Sequence, residues 1–102
     1  MLRKYPRLKT SSDKTQGETM KLLKFYAEWC GPCKMQSQII KNAGDKIKTP
    51  IENVDIDNNI MMTVEHQVRS VPTLVLLDDD GKEVKRKIGL LKEAELLEFL
   101  GE

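Results

Sequence analysis

The sequence predicts an α/β fold of three layers, with helices on both faces of a mixed four-stranded sheet. The expected element order is β-α-β-α-β-β-α. Three observations carry this. Short β-type apolar runs alternate with stretches of helical spacing, twice in succession. The third run is followed by a short acidic turn and an alternating return strand, the pattern of a hairpin. A closing segment then returns to helical spacing.

Each element has its own signal. Lys21–Ala27 is a short apolar run with an aromatic pair, Phe25-Tyr26, and reads as the first strand. Cys33–Ala43 places Met35, Ile39, Ile40 and Ala43 on one helical face, and Gly44 stops it. Pro50 opens the strand Ile51–Ile56, with Val54 and Ile56 alternating. Asp57 or Asn58 is placed to cap a helix over Asn59–Gln67, with Ile60, Val64 and Gln67 or Val68 as its inner face. Thr73–Leu77 is strongly β-type, Asp78–Gly81 a solvated turn, and Glu83–Ile88 the return strand ended by Gly89. Lys92–Leu100 reads as the last helix. Ala94, Leu97 and Leu100 face inward there, while Glu93 and Glu95 complement the dipole at its start.

Composition sets limits. The chain has 102 residues, 39% of them apolar, with 17 basic against 16 acidic groups and a net charge of +1. That length suits one domain, and such a chain buries roughly two-thirds of its unfolded surface. The near-neutral balance gives no field for nucleic acid. No apolar run approaches the ~18 residues of a membrane span. Only Cys30 and Cys33 are present, which excludes a multi-disulfide scaffold. With His66 the single histidine, neither a Cys₂His₂ nor a Cys₄ zinc site fits within one chain.

Charge is unevenly placed. Residues 1–19 carry five basic groups against Asp13 and Glu18, with Leu2, Tyr5 and Leu8 as the sizeable apolar ones. Such a segment does not bury enough to order itself. It reads as a basic, flexible arm before a domain at 20–102, or as a short element docked on that domain. It has no apolar h-region or cleavage site, so it does not read as a signal peptide.

The chemistry lies in Trp29-Cys30-Gly31-Pro32-Cys33-Lys34. Cys30 stands at a loop-to-helix boundary, where unpaired N–H groups and the helix dipole favour an anion. A thiol there loses its proton readily. Cys33 lies one turn inside, within reach of Cys30. Pro32 stiffens the loop at no cost in helical hydrogen bonds. Gly31 permits a tight turn and close approach of a sulfur, and Trp29 forms a flat apolar shoulder. The pair can therefore attack a disulfide and release product when the second thiol attacks. Read by itself, the pattern leaves open half of a zinc site shared between chains, or two inert buried thiols. Its place between a strand and a helix favours redox chemistry.

The segment FYAEWCGPCKM at 25–35 closely resembles the active-site stretch of the thioredoxin family. The resemblance continues through VDID at 54–57, SVPTL at 70–74, the DDDGKEV turn at 78–84 and Ile88-Gly89, in order and at family-like spacing. It implies a thioredoxin-like fold and a protein-disulfide reductase, with Cys30 attacking and Cys33 resolving. Trp29, Gly31, Pro32 and Lys34 then form the active-site loop. Pro72 corresponds to the family's cis-proline, which offers the Val71 backbone to an extended substrate chain; read without the resemblance, it is a trans proline opening a strand. Gly89 corresponds to the glycine that keeps the substrate surface low. Implied partners are disulfide-containing proteins and a thioredoxin reductase drawing on NADPH, with no bound cofactor or metal beyond the redox-active Cys30–Cys33 disulfide. A cytoplasmic monomer is expected. Two other readings are a docking subunit of a partner enzyme, with the cysteines only shaping its surface, and a more oxidising oxidase or isomerase.

Two departures matter. The family's first strand and first helix have no counterpart, because residues 1–19 are too short and polar to supply both; part of that arm is a candidate for the missing edge strand. Lys24 stands where the family usually has a buried aspartate below the second cysteine, and Asn53 aligns with its partner lysine. Lys24 either snorkels to solvent or, if buried, tunes the dithiol toward oxidation, with Glu52 or Asp55 as candidate partners. Smaller expectations are Tyr26 packed behind the active-site loop, a straight helix at Gln38, His66 on the surface, and one of Met61 and Met62 in the core.

Overall fold

The computed structural model describes residues 20–102. The expectations for the arm at 1–19 lie outside these described residues. The elements are β1 (Lys21–Tyr26), α1 (Gly31–Ala43), a 3-10 turn (Gly44–Lys46), β2 (Ile51–Asp55), α2 (Ile60–Glu65), β3 (Thr73–Leu77), β4 (Glu83–Ile88) and α3 (Glu93–Leu100). They form one four-stranded sheet in the order β2-β1-β3-β4. β2 runs parallel to β1, and β3 and β4 continue antiparallel. The expected mixed sheet and element order are therefore found. No helix among the described residues is long and apolar enough to cross a membrane.

Strand alternation assigns the layers. Leu22 of β1 joins Leu74 and Leu76 of β3 on one face, covered by Ile39 and Ile40 of α1 and by Leu96 and Phe99 of α3. Leu23 and Phe25 join Val75 and Leu77 on the other, covered by Met62 of α2 and by Val68 and Val71. Central strands covered on both faces are largely apolar, as β3 is after Thr73, with every residue buried. The exception in β1 is Lys24. Gln36 of α1 is fully buried and pairs with the Leu91 backbone through its amide, donating to the carbonyl at 3.1 Å and accepting from the N–H at 2.8 Å. This ties α1 to the loop that follows β4.

Several faces differ from expectation. Met35 is 57% exposed, and Gln36 takes the inward position on α1. A glutamine can do so because the Leu91 backbone satisfies its amide. The helix expected at 59–67 is shorter: it stops at Glu65, and Gln67 turns at a φ of 55°. Its N-cap is Asn59, with no side-chain cap. Ile60 and Val64 are 66% and 68% exposed, while Met62 and Val68 face the sheet, so Met61 is the outer methionine. In α3 the inner face is Leu96, Phe99 and Leu100 rather than Ala94, which is exposed. The helix turns its larger apolar side chains to the sheet, where more area leaves water. His66 is half-buried, its ring 5.8 Å from that of Phe25. Tyr26 packs beside the active-site cluster, and α1 runs unbroken past Gln38.

Candidate active site

β1 delivers the chain to the C-terminal edge of the sheet, and α1 starts after four intervening residues. Cys30 is the N-cap of α1, with an extended backbone, and Gly31-Pro32 open the helix. Proline is tolerated there because no helical bond needs its missing N–H. The Cys33 N–H points at Cys30 Sγ, 3.1 Å away. The two sulfurs are joined in a disulfide, with Cα atoms 5.3 Å apart. Cys30 and Cys33 are both buried, in a small cluster with Ala27, Tyr26, Ile56 and Val71.

The surrounding rim comes from three separate segments. Trp29 is 69% exposed, and its Nε1 donates to Asp57 Oδ2 at 3.1 Å, tying the active-site loop to the approach to α2. Asp57 is free for this because Asp55 organises the turn: its carboxylate accepts from the Asp57 N–H and from Asn58 Nδ2. The Val71 carbonyl oxygen lies 3.8 Å from Cys30 Sγ. The Val71-Pro72 bond is cis, and the Pro72 carbonyl accepts from the Gly89 N–H at 2.9 Å. Gly89 turns there at a φ of 103°. Trp29, Cys30, Val71, Pro72 and Gly89, scattered in sequence, thus meet at one end of the sheet. Lys34 is exposed on α1.

Behind the disulfide lies a cavity of about 270 Å³ lined by Lys24, Tyr26, Ala27, Glu28, Cys33, Lys34, Ser37 and Asn53. Lys24 does not snorkel; it is only 4% exposed. Its Nζ donates to Ser37 Oγ and lies 5.1 Å from the centre of the Tyr26 ring. In the sheet it stands opposite Asn53 of β2 and Leu74 of β3. Burial holds its pKa below the usual lysine value. Neither expected carboxylate answers it: Glu52 pairs with Lys21 at 2.6 Å, and Asp55 is engaged in its own turn. Sequence reasoning missed Ser37 and the Trp29–Asp57 bond. Ser37 stands four positions after Cys33, so helical spacing marks it; Asp57 depends on how β1 and β2 are registered.

A redox disulfide at a helix N-terminus, set between β1 and α1 of an α/β fold, defines a thiol–disulfide oxidoreductase. Comparison with known proteins agrees. The Thioredoxin family model matches residues 9–102. A thioredoxin of Chlamydia trachomatis is 40% identical over 80 residues, covering 78% of each chain. One of Chlamydia pneumoniae is 43% identical over 77 residues, covering 74% of each. Among solved structures, a single-residue mutant of the thioredoxin from Halobacterium salinarum superposes with a TM-score of 0.75 at 33% identity, over 83% of this chain and 74% of that one. Fasciola hepatica thioredoxin gives 0.73 at 31% identity, over 84% and 81%. The chain belongs to the thioredoxin family.

Proposed function

We propose that the protein reduces disulfides of other proteins, with Cys30 as the attacking and Cys33 as the resolving sulfur. The observation that carries this is the placement of Cys30 Sγ at the start of α1, with the Cys33 N–H directed at it. Both favour negative charge on that sulfur in the reduced state. The Cys30 thiolate attacks one sulfur of a substrate disulfide and forms a mixed disulfide, and the other substrate sulfur leaves with the electron pair. Cys33 gives up its proton and attacks Cys30 Sγ. The mixed disulfide breaks, the second substrate thiol departs, and the Cys30–Cys33 disulfide remains.

The surface around the sulfur suits a substrate of varied sequence. Exposed Trp29 supplies an apolar contact, and the Val71 backbone beside Cys30 can pair with an extended chain. Pro72 and Gly89 complete that rim, with Gly31, Pro32 and Lys34 on the other side of the sulfur. The oxidised pair returns to the dithiol by accepting two electrons from a thioredoxin reductase that draws on NADPH. The protein acts as a monomer in the cytoplasm, where reducing poise suits that direction.

Trapping tests the assignment. A Cys33→Ser variant should accumulate a mixed disulfide with an insulin substrate, and a Cys30→Ser variant should not; the opposite pattern overturns the roles. Equilibration with glutathione tests direction. A potential near about −270 mV supports a reductase, and one at about −120 to −180 mV replaces it with an oxidase or isomerase.

A further inference from the structure

The cavity behind the disulfide contains a charge that the exchange steps above do not use. Lys24 reaches it from β1, and Cys33 lines it as well. The groups around Lys24 come from every packed element. β1 offers the Tyr26 ring, α1 offers Ser37, Lys34 and Cys33, β2 offers Asn53, β3 offers Leu74, and the loop after β1 offers Glu28. Glu28 is the single carboxylate among them, and it is exposed and makes no ion pair with Lys24. An ammonium buried with no ion pair among the described residues gains by any negative charge that appears nearby. The sulfur of Cys33 is the group in this cavity that acquires such a charge, and it does so only on reduction.

We infer that Lys24 is a positioning residue for the exchange: its ammonium, sharing a cavity with Cys33, stabilises the thiolate of Cys33 once the disulfide opens. This rests on the reading of Cys30–Cys33 as the exchanging pair. Two glutathione thiols lose two protons and two electrons to form glutathione disulfide. The electrons open the Cys30–Cys33 bond. One proton goes to solvent and Cys30 keeps its charge at the start of α1; the other proton goes to Cys33, and Lys24 weakens the hold of Cys33 on it. In the mixed disulfide, where Cys30 is bonded to substrate, the same ammonium eases loss of the Cys33 proton and so speeds the resolving attack.

The coupling is reciprocal. The Cys33 thiolate must raise the Lys24 pKa by as much as Lys24 lowers that of Cys33. Burial already sets the Lys24 pKa low in the oxidised protein, as the geometry requires. Lysine is charged below its pKa, so Lys24 acts on the Cys33 proton in that range. This action fades as pH rises through the Lys24 pKa of the reduced form.

The decisive measurement uses the wild-type protein. Its lysine side chains are titrated by carbon-13 NMR in the oxidised and reduced states. We expect the Lys24 pKa to rise on reduction by about one unit, equivalent to a tenfold change in proton affinity. Identical values in the two states overturn the inference. Equilibration with glutathione is run at alkaline pH, where Cys33 is ionised, on the same wild-type protein and on Lys24→Met and Lys24→Arg. Lys24→Met should be about tenfold harder to reduce, close to 30 mV more negative, with Lys24→Arg near wild type. A Lys24→Met equilibrium within twofold of wild type also overturns it. If Lys24→Met fails to fold, the wild-type titration decides. A wild-type pair that does not exchange with glutathione at all overturns the reading of Cys30–Cys33 instead, which keeps the two failures apart.

Discussion

Replacing Gln36 with leucine keeps the volume of a buried side chain and removes two hydrogen bonds at once. Gln36 is fully buried, and its amide satisfies both the N–H and the carbonyl of Leu91, itself 7% exposed. Neither backbone group has ready access to water after the substitution. Each orphaned buried group costs about 1–3 kcal/mol, so the pair costs about 2–6. The leucine returns about 1–2 kcal/mol of apolar burial. The midpoints, about 4 less about 1.5, give an expected net loss of about 2.5 kcal/mol. In a domain of this size each kcal/mol moves the melting temperature by about 4–8 °C, so a fall of about 10–20 °C follows. Urea denaturation followed by circular dichroism measures it directly. The midpoint should fall with an unchanged slope, as for a loss of stability without a change in exposed surface. A loss below about 0.5 kcal/mol, the range of an ordinary surface substitution, would refute the reasoning.

Two further outcomes follow from the structure. Gly89 holds a φ of 103° with nothing within 4 Å of where a Cβ would stand. Gly89→Ala should therefore cost about 1–2 kcal/mol through backbone strain alone. Gly31→Ala, where the space is also open and no positive φ is found, should change stability by less than about 0.5 kcal/mol in either direction; equal losses in urea melts would remove the conformational argument. Acid should weaken the fold through Glu83 and Glu102. The hydrogen bond from Arg86 holds the Glu83 carboxyl below its ordinary value of 4.5. Partial burial pushes the Glu102 carboxyl up, but hydrogen bonds from Thr49 and the Lys48 amide outweigh it and hold it low. A carboxylate with a depressed folded pKa stabilises the fold above its unfolded pKa and loses that contribution as pH falls through the folded one. The wild-type melting temperature should therefore fall more steeply below pH 4.5 than that of Glu83→Gln/Glu102→Gln, and parallel curves would refute this.

The strands, the hairpin turn and the helix that begins at the cysteines are legible because their signals are local. Alternation, the Gly-Pro pair at a helix start and a glycine after a turn each act within a few residues. β4 lies at the predicted residues, Glu83–Ile88. Helix faces are less legible. Spacing places Met35 and Ala94 inward, yet both are exposed, since spacing narrows a face without saying which neighbour covers it. The fate of Ile60 and Val64 depends on where α2 sits against the sheet, and Met62 takes the inner position.

The class of fold, the redox pair and the family follow from the chain read in one dimension, because apolar period, turn chemistry and the motif around Cys30 and Cys33 are properties of contiguous residues. What each polar group near the site answers to is settled in three dimensions. Trp29 meets Asp57 from 28 residues away, and Gln36 meets Leu91 from 55. Lys24 finds Ser37 and the Tyr26 ring rather than Glu52 or Asp55. A one-residue change in register would turn every β1 side chain to the opposite face. The partners of a buried charge are therefore set by the pairing of β1 with β2 and by the seating of α1, which no local pattern encodes.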